Sequence, residues 1–370
     1  MKDNFWLRLV SYDLPRSAVL GLLVVGIAIC LLFVPVLFPG ARSLDTSARI
    51  CGFIIVAVSY DILFGYTGII TLCHITFFGI GAYAAAISLA QFGPGWGVLL
   101  LATAAGICTA VLLATLISVF ALRIRTLFFA MFTLAVAKSC EILMSQLSRF
   151  SGGDDGMTFI PPAAIAPSTT FEVFGLRIGG ATLCYYLIYA LTVIVFLAVL
   201  RLVNSPFGKS LQAIRDNELR AAALGIPTQR YRVVAMAISA GLAALGGSLL
   251  SLWWTYVNPA TTLSPNIMID ILLMVVIGGS GTIYGPVVGV TVFVIAMNYL
   301  SEGLESLSDS IPHIPFVADL LNAERWQLWL GLLFVLTLYY FPTGIAGHLR
   351  GKKRERQAKL ASLPEVTVTR

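Results

Sequence analysis

The sequence predicts an all-α polytopic membrane protein of about ten transmembrane helices, some of them broken, and three observations carry that prediction. Hydrophobic residues make up 58% of the 370-residue chain and charged residues 11%, with a mean hydropathy of +0.90; a soluble domain carries about 25% charged residues. The apolar residues gather into runs of spanning length, since about 20 of them cross ~30 Å of hydrocarbon. Glycine is abundant, with 33 residues, and it clusters inside two of those runs. The longest polar stretches (148–180, 204–230 and 301–325) are only loop-sized, so function must reside in the membrane bundle and its short loops.

The first run, 18–38, follows a basic segment containing Lys2, Arg8 and Arg16. It exceeds a signal-peptide core and lacks a small-x-small cleavage site, so it reads as a retained helix. Further spans are expected at 48–66, 69–90, 98–121, 127–147, 181–203, 231–252 and 326–341. The run 267–300 would be about 50 Å long as one helix, too long for a single crossing. Gly278-Gly279-Ser280-Gly281 and Gly285-Pro286 interrupt it, which predicts a broken hairpin of two short helices. Charge supports that count. With the hairpin, Arg123 and Arg125, the 201–232 region and the tail from Arg350 to Lys359 share one side, as the positive-inside rule requires. The acidic loop holding Glu302, Glu305, Asp309, Asp319 and Glu324 then falls on the other side. The chain thus divides into a cytoplasmic N-terminus (1–17), a transmembrane region (18–347) that includes the polar loop 204–230, and a basic cytoplasmic tail (348–370).

Broken spans bear on function, because irregular backbone at membrane depth is tolerated where it is buried in protein or lines a water-filled path, and transporters place substrate at such breaks. Two regions fit: Gly65-Tyr66-Thr67-Gly68 running into Gly79-Ile80-Gly81, and Gly278 to Gly289. Both follow an Asp-Ile-Leu (61–63 and 270–272), a faint internal repeat. Gly68, His74, Gly79, Gly81, Gly279 and Gly281 are the candidate path residues. The plainer role for any one glycine is close helix packing, as in the Gly285/Gly289 and Ala243/Gly247 small-xxx-small pairs, and it is the main role expected. His74 reads first as a hydrogen-bonded structural histidine and second as a proton relay. Lys138 and Glu141 lie three apart on one helical face and can neutralise each other. Asp61 and Asp270, nearer span ends, suit a hydrated, capping or ligand role.

Enzymatic readings have little to stand on. Phe207-Gly208-Lys209-Ser210 resembles the end of a phosphate loop, but Val203 stands where that loop needs its first glycine. Gly279-x-Gly281 fails as a dinucleotide fingerprint at Tyr284. The three histidines (His74, His313, His348) are far apart, and the six cysteines are scattered singly through apolar segments, as packing residues are. The chain is therefore expected not to be an enzyme and to bind no cofactor or metal of its own. Its net charge of +6 marks loop orientation and not nucleic-acid binding.

The most informative segment is Gly208-Lys-Ser-Leu-Gln-Ala-Ile-Arg-Asp-Asn-Glu-Leu-Arg-Ala-Ala-Ala-Leu-Gly-Ile226. It is helix-prone and ends at Gly225 with Pro227 just beyond, a good stop signal. One helix is expected, with Leu211, Ile214, Leu219 and Ala222–Ala223 as an apolar strip and Arg215 and Arg220 in water. It reads either as a plain surface helix or as a docking helix for a soluble partner, since a pump without a nucleotide site needs a motor.

This segment resembles the coupling loop of ABC importer permeases in its branched-chain amino-acid (LivM-type) form, with matches at Glu218, Ala222, Gly225 and Ile226; the Glu-to-Gly spacing is one residue longer than in the wider importer class. Phe64-Gly-Tyr-Thr-Gly followed by Thr71-Leu-Cys-His-Ile-Thr-Phe-Phe-Gly-Ile-Gly-Ala-Tyr83 is similar to the family's GYTG…SLGHAAFFGIGAY segment, with Cys73 where glycine is usual. Leu122-Arg-Ile-Arg with Phe128-Phe-Ala-Met-Phe-Thr-Leu-Ala135, Gly152-Gly-Asp-Asp-Gly156, and Leu273-Met-Val-Val-Ile-Gly-Gly279 with Gly285-Pro286 resemble three further family segments. The resemblance implies an inner-membrane importer subunit with both termini cytoplasmic. It would pair with a second homologous permease, two cytoplasmic ABC ATPase subunits that bind ATP and Mg, and a periplasmic binding protein delivering leucine, isoleucine or valine. It also implies that Gly208, Arg215, Glu218, Ala222 and Gly225 couple the chain to the ATPase. The same family includes permeases for urea, short amides and other amino acids. A stand-alone secondary transporter or channel is the competing class.

Overall fold

The computed structural model describes residues 18–38, 40–121, 126–167, 169–173, 176–310, 326–340 and 344–347. The N-terminal segment 1–17, Arg123 and Arg125, residues 311–325 of the acidic loop and the basic tail 348–370 lie outside them. Among the described residues, eight helices are long and apolar enough to cross a membrane, and two shorter apolar ones, Tyr284–Leu300 and Leu328–Thr337, accompany them.

The membrane helices are α1 (Ala18–Leu37), α2 (Ala41–Asp61), α3 (His74–Phe92), α4 (Trp96–Ala121), α5 (Thr126–Gln146) and α6 (Gly180–Asn204). Two short polar helices follow, α7 (Pro206–Asp216) and α8 (Glu218–Ala223), then α9 (Thr228–Trp254), α10 (Pro265–Gly278), α11 (Tyr284–Ser310) and α12 (Trp326–Tyr340). The run 267–300 is broken as the glycines require. Gly279 (φ 107) and Gly281 (φ 75) lie in the left-handed region that ends α10, and α11 starts afresh at Tyr284. Two expectations change. Residues 69–73 are not helical, because α2 runs on as a π-helix over Ile62–Thr67 and stops at Gly68 (φ 74) before α3 begins at His74. The loop 208–226 is two helices and not one, parted at Asn217 (φ −161).

Burial separates a core from a periphery. α2 is the axis, with 89% of its spanning window buried inside the chain, against 17% for α5 and 22% for α1. The apolar outer faces of α1 and α5 are thus left for lipid or a partner. α2, α3 and α9 touch through small residues. A Cβ on Gly81 would lie 1.9 Å from the Ala244 carbonyl oxygen, and one on Gly247 would lie 1.9 Å from that of Phe78. Gly278, Gly285 and Gly289 do the same for the α10–α11 hairpin, where a Cβ on Gly289 would meet the Met274 carbonyl at 1.9 Å. In lipid, where apolar burial drives little helix association, close backbone packing and buried polar contacts do the work. Ser239 Oγ donates to the Ser59 carbonyl at 2.6 Å and Thr192 Oγ1 to that of Cys51 at 3.0 Å. Pro35 in α1 has no N–H to offer the Leu31 carbonyl four residues back, and the Tyr185 hydroxyl on α6 takes that oxygen at 2.5 Å. Lys138 and Glu141 pair at 2.7 Å on α5.

The bundle has two distinct ends. At one lie α7 and α8. At the other, the loop between α5 and α6 forms two small sheets: β1 (Met157–Thr158) pairs antiparallel with β4 (Tyr256–Val257) after α9, and β2 (Thr170–Val173) with β3 (Leu176–Gly179). Gly152, Gly153 and Gly156 all adopt positive φ here, and the Tyr256 hydroxyl donates to the Asp155 carbonyl at 2.8 Å. The chain returns to the first end after α12, where Gly344 backs directly onto Gly279.

Candidate functional site

The two glycine-rich breaks meet each other and the polar loop at one junction. After Asp61 the π-helix of α2 widens the backbone, an arrangement found disproportionately at functional sites. The extra residue leaves the Gly65 carbonyl open, and the guanidinium of Arg215, in the last turn of α7, donates to it. The Asp61 side chain points across the same gap, and its Oδ1 accepts the backbone N–H of Gly281 at 2.9 Å. No described residue partners the other carboxylate oxygen, Oδ2, which is buried. Small residues are obligatory. A Cβ on Gly65 would lie 2.0 Å from Asp61 Oδ1, one on Gly281 2.6 Å from Arg215 Nη1, and one on Gly68 3.0 Å from Arg215 Cγ. Gly68 and Gly281 also hold positive φ. One arginine from the loop therefore touches both discontinuous helices at once.

Sequence reasoning singled out Gly68, Gly279, Gly281 and Arg215 separately, and the structure gathers them, with Gly344 packed against Gly279. It did not assign Asp61 to this junction or find Gly65 as a contact. An acidic residue four positions before the glycine of a break was the available signal, but nothing in sequence links position 61 to 281. Gly79 and Gly81 lie apart from the junction. Both are buried between α3 and its neighbours, where a Cβ on Gly79 would meet Leu263 Cδ2 at 2.2 Å. His74, the first residue of α3, is buried with its Nε2 2.9 Å from Ser59 Oγ and its ring against Tyr60 and Phe77. Its Nδ1 is buried with no partner among the described residues.

The polar loop is built from good local signals. Ser205 caps α7, accepting from the Gly208 N–H, with Pro206 at the first position; Asn217 caps α8, accepting from the Arg220 N–H at 2.9 Å. At the end of α8 the Ile226 N–H bonds to the Ala221 carbonyl and the Gly225 N–H to that of Ala222, with Gly225 at φ 85, which is a Schellman motif. The expected apolar strip is divided. Leu211 and Ile214 are buried against the chain's own bundle, whereas Leu219 (84% exposed), Leu224 (76%), Ala222 and Ala223 face outward. Arg215 does not stand free in water, since it reaches the Gly65 carbonyl. Gly208 sits under the α6–α7 corner, where a Cβ would lie 2.2 Å from the Val203 carbonyl oxygen. Glu218 pairs within the chain, 2.7 Å from Arg232 on α9. No group of metal-ligating side chains occurs among the described residues.

The family described as branched-chain amino acid transport system / permease component matches residues 43–338. The high-affinity branched-chain amino acid transport system permease protein LivM of Escherichia coli (strain K12) is 26% identical over 314 residues, 79% of this chain and 67% of that protein. The probable branched-chain amino acid transport permease protein LivM of Methanocaldococcus jannaschii is 30% identical across 43% of this chain and 45% of its own. The corresponding LivH protein of Escherichia coli (strain K12) is 24% identical, covering 79% of this chain and 90% of its own. No solved structure matches the chain. The chain is a multi-pass membrane protein and belongs to the family of branched-chain amino acid ABC transport permeases.

Proposed function

We propose that the chain is one of two membrane subunits of an ATP-driven importer and that it carries leucine, isoleucine or valine across the inner membrane. In this reading a periplasmic binding protein delivers the substrate at the end of the bundle carrying β1 and β4. Two cytoplasmic ATPase subunits, which hold the ATP and Mg, dock at the α7–α8 end, and both termini are cytoplasmic. The observation that carries the reading is Arg215, which ties the exposed polar loop to both broken helices. Displacement of α7 and α8 by a docked motor would therefore act directly on the two discontinuities. The outward Leu219 and Leu224 supply the apolar face that such a partner would cover. The substrate is read from the relatives' names, and the ATPase from the loop.

The test is reconstitution of the purified complex in liposomes with its binding protein. ATP hydrolysis should be stimulated by leucine-loaded binding protein, and leucine uptake should need ATP. Leucine flux through the chain alone, without ATP, would overturn the reading in favour of a stand-alone carrier.

A further inference from the structure

Away from the junction, toward the opposite end of the bundle, a cavity of about 490 Å³ opens between α2, the end of α9, the single turn Pro259–Thr262, α10 and α11. Its walls are largely apolar, with Phe53, Trp254 and Met274 prominent, and it also receives Arg49 from α2 and Asp270 from α10. Arg49 is steadied from behind. Its Nε lies 2.8 Å from Asp45 Oδ2 and its guanidinium 5.9 Å from the centre of the Trp254 ring, while Asp45 Oδ1 accepts the Trp253 indole N–H at 2.8 Å. No described residue takes up its two terminal nitrogens, and none donates to the Asp270 carboxylate. Charges placed within membrane spans are costly and are retained for function by default, and here one of each sign lines a single apolar space of ligand size.

We propose that this cavity is an intramembrane holding site for an aliphatic α-amino acid, with Arg49 receiving the carboxylate, Asp270 the ammonium group, and the Phe53–Met274 wall the hydrocarbon side chain. The proposal rests on the transport reading only for the identity of the ligand. Arg49 keeps Asp45 on its Nε side, so a zwitterion would supply a carboxylate to its terminal nitrogens and an ammonium group to Asp270, and Arg presents a planar fork suited to a carboxylate. The apolar wall distinguishes aliphatic from polar side chains through burial. The site lies between the end assigned to the binding protein and the junction at Arg215, so an amino acid released by the binding protein would reach it first.

The test is protection of a thiol in the assembled complex, without ATP or binding protein. Ala260 lines the cavity and is exposed, so Ala260→Cys reports occupancy through its alkylation rate. Millimolar leucine should slow alkylation several-fold, while 3-methylbutylamine, which lacks the carboxylate, and 4-methylpentanoate, which lacks the amine, should not. Adding Asp270→Asn should raise the protecting leucine concentration about ten- to a hundred-fold, the range expected for a lost charged hydrogen bond. Direct binding of tritiated leucine to the unmodified complex gives the same answer if a partner masks position 260. Absence of both protection and binding would overturn the proposal, as would equal protection by the two analogues, an unchanged midpoint in Asp270→Asn, or protection that follows phosphatidylethanolamine content and not leucine. A complex that binds leucine but does not import it would refute the transport reading and leave the site standing; one that imports normally with Asp270→Asn and shows no binding would do the reverse.

Discussion

At Gly81 a single methyl group would lie 1.9 Å from a backbone oxygen of α9, and at Gly281 it would lie 2.6 Å from the tip of a flexible arginine. The two glycines look alike in sequence and differ in what must yield. Backbone in a packed helix crossing cannot move aside, and overpacking of this kind costs about 1–3 kcal/mol or more. Gly81→Leu should therefore abolish assembly as well as uptake, measured by co-purification with the partner permease. Gly281→Ala meets first a side chain that can swing away and then the Gly65 carbonyl oxygen at 3.0 Å, and its positive φ adds about 1–2 kcal/mol of strain. That variant should assemble, lose the Arg215 contact and lose most ATP-driven uptake, as should Arg215→Met. Normal uptake by both would show that the junction carries no motion.

The polar loop works as two caps and a turn. Gly225 has open space around its Cβ position and φ 85, so its requirement is conformational and not steric crowding. Gly225→Asn should retain most coupling, because asparagine tolerates the left-handed cap, whereas Gly225→Val should unravel the end of α8. The measurement is stimulation of ATP hydrolysis by loaded binding protein, expected near normal for Asn and largely lost for Val; equal rates in the two would remove α8 from the coupling path. Glu218 already has Arg232 as a partner across a half-exposed gap, and such pairs contribute about 1 kcal/mol or less. Glu218→Ala should accordingly have a small effect.

At the scale of the molecule, the ten apolar helices among the described residues bring the chain back to the end where α1 starts. Gly344 rests on Gly279, beside the Arg215 junction, and the loop between α5 and α6 closes the other end through β4. Leu224→Cys and Ile160→Cys should thus react with a membrane-impermeant thiol reagent from opposite faces, Leu224→Cys in inside-out vesicles and Ile160→Cys in intact cells or spheroplasts. Labelling of both from one face would refute the ten-helix path.

Helix number, the break in 267–300 and the position of the polar loop between two spans were legible in the sequence, because apolar run length and glycine clusters are local quantities set by the bilayer. The Schellman stop at Gly225 was legible for the same reason: Gly with Pro two residues on dictates the backbone there. Three things were not. The π-helix after Asp61 arises where α2 is gripped on all sides, and no local pattern in Ile62–Thr67 demands it. The split at Asn217 follows from burial of Leu211 and Ile214 against the bundle while Leu219 turns outward, so the apolar strip divides between two surfaces. The meeting of Gly65, Arg215 and Gly281 joins positions more than 60 residues apart in every pairing. Sequence could mark each as unusual, but only the packing of α2 at the centre of the bundle brings them within reach of one guanidinium.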